Sequence, residues 1–309
     1  MGITIGEIVK FYRQRIGLSQ SELSESICSR KYVGDVETGR SIPTLDIVTQ
    51  FSQRLGVDLY SVYSSVYRYD DLETYSDCRK LNSAIAGHDI SAINAFLEEF
   101  EENKRFASGE ARQLICYSEA VVLSQKCKYK EAEDRVLEGL KERHPAYPDA
   151  DRVGFSNVDY SLMLALAVNR GRQGKNRDAE ELFDRLATDA LAGIALKYDS
   201  EKNRAFYLNL LCSAICNKYY YCDTKPEKIL SEIDKALDYQ RTNSRSHMIC
   251  ELLLCKAGLL KKSCKEAEAQ EVYRQAEAIG EFYYGKERFE VLKNYLIKDT
   301  ENDESDIEG

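Results

Sequence analysis

The sequence contains no tryptophan, and only four prolines, three methionines and three histidines in 309 residues. With so little proline, helices run without built-in breaks, since proline lacks the amide hydrogen and clashes with the preceding turn. Pro145 and Pro148 share one loop, leaving Pro43 and Pro226 elsewhere. The histidines His88, His144 and His247 are scattered, so the ten cysteines have no adjacent imidazole to complete a zinc-type ligand set. No apolar run approaches the roughly 18 residues of a membrane span. The opening MGITIGEIVKFYRQR lacks the layout of an export signal. These absences predict a cytoplasmic protein with no membrane partner and reduced thiols. Cys212, Cys216, Cys222, Cys250 and Cys255 read as small core residues, with a metal or redox site as the alternative. A Gly-rich phosphate loop, HExxH and GxSxG are all missing. Neither catalysis nor a cofactor or metal is expected.

What is present describes a soluble globular chain, 43% hydrophobic and 31% charged, long enough for about two domains. The net charge of −9 argues against a nucleic-acid binder until its distribution is seen. Through residue 68 there are eight basic and seven acidic residues, so the remainder holds 35 basic and 45 acidic ones. DNA would meet the front and be repelled by the rest. A lone front domain has few phosphate partners, which makes a homodimer on paired half-sites the economical arrangement.

Ser19 to Thr44, SQSELSESICSRKYVGDVETGRSIPT, reads as two short helices around a tight turn. Ser19 and Glu22 have capping-box spacing, which starts a helix near Gln20. Leu23 and Ile27 give it an apolar face, Ser29 caps a second helix, and Val33 and Val36 pack that helix inward. Gly39 stops it. Arg30, Lys31, Tyr32 and Asp35 are left pointing outward, a polar and basic helix start suited to the major groove of double-stranded promoter DNA. The competing account is an ordinary helical hairpin with a charged outer face. Ile5, Ile8, Val9 and Tyr12 place a helix before this unit; Thr44 caps one after Pro43, which Gly56 closes, and a last short helix follows Asp58.

Residues 5 to 64 resemble the five-helix helix-turn-helix domain of the phage-repressor and XRE type, in GLSQSEL (17–23), VETGRSIPT (36–44) and FSQRLGVDLYSVY (51–63). The resemblance implies an internal ion pair between Arg13 and Glu37. It also implies phosphate contacts from Gln20, Ser29, Arg40 and the amide of Thr44, with Arg30, Lys31 and Asp35 facing base edges.

From residue 72 to 298 the pattern is helical and weakly repetitive: YKEAEDRVLEGL, NRDAEELFDRLA and CKEAEAQEVYRQA align on Ala132, Ala179 and Ala267, with KPEKILSEIDKAL as a degraded copy aligned on Ile229. The intervals of 47, 50 and 38 residues exceed the roughly 34 of a tetratricopeptide repeat. An all-α chain is therefore expected: a helix-turn-helix domain over 1–66, a TPR-like right-handed superhelix of hairpins over 67–298, and an acidic disordered tail over 299–309. Inner helices are placed at 109–127, 156–173, 201–219 and 246–262. Residues 65 to 72, lacking Gly and Pro, read as a short ordered joint.

In layout the whole chain resembles the peptide-pheromone receptors of Firmicutes, the Rgg, Rap, NprR, PlcR and PrgX group, and is most like its PlcR and PrgX members in length and joint. The resemblance implies a cytoplasmic quorum-sensing regulator that dimerises through its repeats and binds a short re-imported signalling peptide. It singles out Asn209, in FYLNLLCSAICNK, as a peptide-gripping residue. An amide donates to a carbonyl and accepts from an N–H, so it holds an extended peptide regardless of sequence. Asn169, Asn217, Tyr160, Tyr207, Lys218 and Glu251 are the other inner-helix candidates; for each, a solvated helix face is the plain alternative. A phage or mobile-element repressor answering to a protein antagonist is the alternative function.

Overall fold

The computed structural model describes residues 3–69, 71–100, 103–148, 155–196, 201–242 and 248–296. Among them are sixteen α-helices and no strand. The expected acidic tail lies outside the described residues. The chain packs as two units: one runs through Val122 and takes in the segment from Lys141, and the other holds Leu123–Leu140 and the remaining residues.

Five helices open the first unit: α1 (Ile5–Arg15), α2 (Gln20–Ser24), α3 (Arg30–Glu37), α4 (Leu45–Leu55) and α5 (Leu59–Val66). Local chemistry sets their ends. Thr4 and Ser19 each form a full capping box, with Glu7 and Glu22, and the Ser29 hydroxyl accepts the amide of Tyr32. Asp58 accepts from Tyr60 and Ser61. Gly56 ends α4 in the left-handed region, at φ 65°, where a side chain is disfavoured. Thr44 stands at the start of α4, but its side chain makes no capping bond. That expectation is corrected: the position is extended, as a cap requires, while the hydroxyl does not reach the helix amides.

Ile8, Val9, Leu23, Val33, Val36, Phe51 and Leu59 are fully buried and form the centre of this domain, each such side chain contributing about 1.5–3 kcal/mol. Gly6 lets α1 and α3 touch, since a Cβ there would lie 1.9 Å from the carbonyl oxygen of Val36. Arg54 donates to the carbonyls of Glu22 and Glu25, tying α4 to the end of α2. The domain continues into α6 (Leu72–Ala86) through a short joint. Leu72 and Tyr75 pack on the five-helix core. Helix α7 (Ile90–Phe100) and the first part of α8 (Gly109–Gln125) build a second cluster in the same unit around Leu81, Ile93, Phe106 and Leu114.

The second unit takes the end of α8 and most of α9 (Tyr129–Arg143). It continues with α10 (Asn157–Arg172), α11 (Asn176–Ala195), α12 (Glu201–Tyr221), α13 (Pro226–Thr242), α14 (Ile249–Lys262), α15 (Glu266–Tyr284) and α16 (Lys286–Leu296). Helix α11 packs on α10 and α12, α13 on α12 and α14, and α15 on α14, while α10, α12 and α14 also touch in succession. This is the hairpin ladder of a helical repeat. Ala132, Ala179 and Ile229 each occupy the fourth residue of an outer helix and are buried. The expected Ala267 is instead exposed, and Ala269 is the buried fourth residue of α15. CKEAEAQ carries two alanines two residues apart, and packing selects the second, which lengthens the last interval to 40 residues.

Tyrosine and phenylalanine join the hairpins by seating on glycine. A Cβ on Gly171, Gly193, Gly258 or Gly280 would lie 2.6 Å or less from Tyr221, Tyr207, Tyr219 or Phe289 respectively. Seven of the ten cysteines are buried and all ten are free thiols. Burial pushes the Cys78 thiol up to about 12, so it stays protonated as a core residue.

Candidate nucleic-acid interface and peptide-binding face

Arg30 and Lys31 are the first two residues of α3 and both are exposed. Tyr32 and Asp35 follow on the same helix, Asp35 half-buried. Beneath them lies the expected ion pair. Both Arg13 and Glu37 are under 10% exposed. Arg13 donates through Nε to one Glu37 oxygen and through Nη2 to the other at 2.9 Å, and through Nη1 to the carbonyl of Leu18 at 2.7 Å. Gln20 adds an amide donor to Glu37 at 2.9 Å. Burial opposes ionisation of Glu37, but the hydrogen bonds from Arg13 and Gln20 outweigh it and hold the carboxyl below its usual range. The pair fixes α3 against α1 and α2, and thereby the direction in which Arg30 and Lys31 project.

Three of the expected contact residues are engaged in this state. Gln20 is tied to Glu37, and the Ser29 hydroxyl serves as the α3 cap. Arg40 lies 3.3 Å from Asp35 and donates through Nε to Thr38 at 3.0 Å. The side chain of Arg40 is 70% exposed, so this ion pair is weak and easily exchanged for a phosphate. Thr44 is exposed at the start of α4. The structure thus brings Ser29, Arg30, Lys31, Asp35 and Arg40 together around one short helix.

On the second unit the inner-helix candidates separate. Asn209 is exposed on α12, and its side chain makes no hydrogen bond among the described residues. On the same face, at helical spacing, stand half-buried Phe206, Ser213 and Asn217. Asn217 donates to the carbonyl of Ser213 at 2.8 Å. The adjoining α10 leaves a matching half-buried stripe of Val158, Ser161, Ala165 and Val168. Sequence reasoning missed this stripe, although its 3–4–3 spacing is visible once α10 is known to be covered elsewhere. Phe155, Tyr160, Phe206 and Tyr207 form an aromatic cluster near the starts of both helices, with ring centroids 5.6–6.4 Å apart.

The remaining candidates face inward or sideways. Asn169 is 2% exposed; its Oδ1 accepts from Ser124 at 3.0 Å and its Nδ2 donates to the carbonyl of Ala165 at 2.8 Å. Its amide joins α8 to α10 and is not presented to a ligand. Lys218, 1% exposed, donates to Asp184 and Glu232 at 2.8 Å each. It ties α12 to α11 and α13, because its position faces the hairpin partners. Tyr160 is buried and Tyr207 is seated on Gly193. Glu251 accepts from the Tyr284 hydroxyl at 2.7 Å. A comparable clamp centres on Glu133, 4% exposed. Burial opposes its charge, yet hydrogen bonds from Lys175, Gln173 and Arg170 pull its pKa down to about 2.

No helix among the described residues is long and apolar enough to cross a membrane. Residues 9–61 match the family model described as Helix-turn-helix. No curated relative matches the chain. Among solved structures, the chain resembles Bacillus thuringiensis PlcR in complex with the peptide PapR7 and DNA, at 19% identity and a TM-score of 0.70, covering 96% of this chain and 99% of that one. It also resembles the Streptococcus dysgalactiae SHP pheromone receptor Rgg2, at 13% identity and a TM-score of 0.55, over 94% and 98% of the two chains. ComR from S. thermophilus, in complex with DNA and its signalling peptide ComS, matches at 18% identity and a TM-score of 0.51 over 95% and 97%. Residues 9–61 thus form a helix-turn-helix domain, and 94–96% of the chain shares its fold with these three structures.

Proposed function

We propose that the protein is a cytoplasmic quorum-sensing transcription regulator that reads promoter DNA through α3, as a homodimer, and is switched by a short re-imported signalling peptide. The observation that carries this reading is one chain with two open recognition faces. Arg30 and Lys31 stand exposed on a braced helix, and Asn209 stands exposed on α12, at helical spacing from half-buried Phe206 and Ser213. An amide surrounded by small and apolar side chains suits a peptide backbone. The likeness to PlcR in complex with a peptide and DNA, and to ComR in complex with DNA and its signalling peptide, supports the same reading. The role is regulatory, with no chemical step assigned to any side chain.

The reading is tested by binding of the purified protein to the DNA upstream of its own gene, titrated with synthetic peptides from the C-terminus of small neighbouring open reading frames. A peptide-dependent change in operator affinity is expected. DNA binding indifferent to every peptide would overturn the peptide switch and favour a repressor controlled by a protein antagonist.

A further inference from the structure

A separate cleft opens in the first unit where α1 and α5 meet α6. Its volume is about 660 Å³, within the roughly 300–1,000 Å³ of small-molecule sites. Phe11, Tyr12, Val62, Leu72 and Tyr75 give it an apolar, aromatic wall. Phe11 is 41% exposed, a considerable cost for a phenylalanine facing only water. Because Leu72 and Tyr75 also rest on the five-helix core, the cleft lies where the reading domain passes into the next helix.

The charges around it do not balance. Glu73 is paired with Arg105 at 3.2 Å, and Lys80 with Asp77 at 2.9 Å. Arg15 and Arg79 have no carboxylate partner among the described residues. Each instead lies over an aromatic ring of the cleft, Arg15 over Phe11 and Arg79 over Tyr75, both 5.9 Å from the centroid. A cation–π contact at this distance uses none of a guanidinium's N–H donors, which leaves them for an anion. Two uncompensated cations over an aromatic wall select a ligand with an anionic head and an apolar body.

We propose that this cleft binds a small organic carboxylate, its head held by Arg15 and Arg79 and its body lying against Phe11, Tyr12 and Tyr75. Arginine's planar fork matches a carboxylate in a way that a neutral amide cannot reproduce. Bound there, the ligand braces α6 against α1 and α5 and controls the pose of the reading domain on α6. This control is separate from any peptide and does not rest on the peptide reading.

The test is calorimetric titration of the full-length protein with octanoate and with octanamide, which shares the chain but not the charge. Octanoate is expected to bind, and octanamide at least about tenfold more weakly, the loss of a charge-assisted hydrogen bond. Arg15→Gln combined with Arg79→Gln should reduce octanoate to the level of octanamide. Both arginines are exposed, so the variant's melting temperature without ligand should match that of the natural chain. Since the chain has no tryptophan, tyrosine emission gives a second readout, to which Tyr12 and Tyr75 contribute. Equal affinity for the two compounds, no binding of octanoate, or undiminished binding by the double variant would each overturn the proposal. The comparison of compounds on the natural chain decides the matter even if the variant folds poorly.

Discussion

Replacing Glu37 by glutamine should loosen α3 without changing any of the residues proposed to face DNA. The side chain keeps its volume, but Arg13 and Gln20 then point their donors at a neutral amide in a site only 6% exposed. Removing one partner of a buried ion pair costs about 3–5 kcal/mol. Arg13 retains the Leu18 carbonyl at 2.7 Å, so the lower end, about 3 kcal/mol, is appropriate. Hydrogen exchange of α3 amides should accelerate by about 100-fold, the equivalent of that free energy when opening is local. Exchange in the α14 and α15 hairpin, read by mass spectrometry on the same sample, should stay unchanged. The effect has a pH signature. The Glu37 pKa is depressed on folding, so the natural chain has this stabilisation fully above the ordinary carboxylate range and loses it as pH falls through the folded-state value. Glu37→Gln should abolish that acid dependence. An α3 exchange rate raised less than about threefold, under 1 kcal/mol, would refute the bracing role.

Arg30→Ala with Lys31→Ala should weaken operator binding and lower the slope of log affinity against log salt by about 1 for each phosphate that is no longer neutralised, with the dimer intact by light scattering; unaltered affinity rejects α3 as the reader. Asn209→Ala should weaken peptide binding by about tenfold, one or two hydrogen bonds, while leaving DNA affinity in the absence of peptide unchanged. An equal peptide affinity removes Asn209 from the site. Lys218→Met strips Asp184 and Glu232 of a buried cation and should cost up to about 3 kcal/mol in denaturant unfolding, with peptide affinity retained. A selective loss of peptide binding at unchanged stability would restore Lys218 to the ligand face.

Most of the front domain was legible because its signals are local, though the Thr44 cap was not. Capping boxes, the Ser29 cap and the left-handed Gly56 act within one turn of the chain, and the inward valines of α3 follow from spacing alone. The repeats were legible as a pattern, and the register failed only where two alanines competed in α15. The inner helices defeated side-by-side reading. α10, α12 and α14 are covered on several sides, so polar residues such as Asn169 and Lys218 occur on buried faces and look like surface residues in the sequence.

The sequence by itself therefore determined helix content, helix ends, the basic front and the existence of a repeat array, because caps, breakers and periodicity act over a few residues. Only the tertiary structure decided which polar side chains remain available. Whether an asparagine or lysine meets a ligand or a partner helix depends on groups some tens of residues away, such as Ser124 for Asn169 and Asp184 for Lys218. Spacing along one helix carries no information about what packs against it, and the same holds for the cleft that α1, α5 and α6 enclose together.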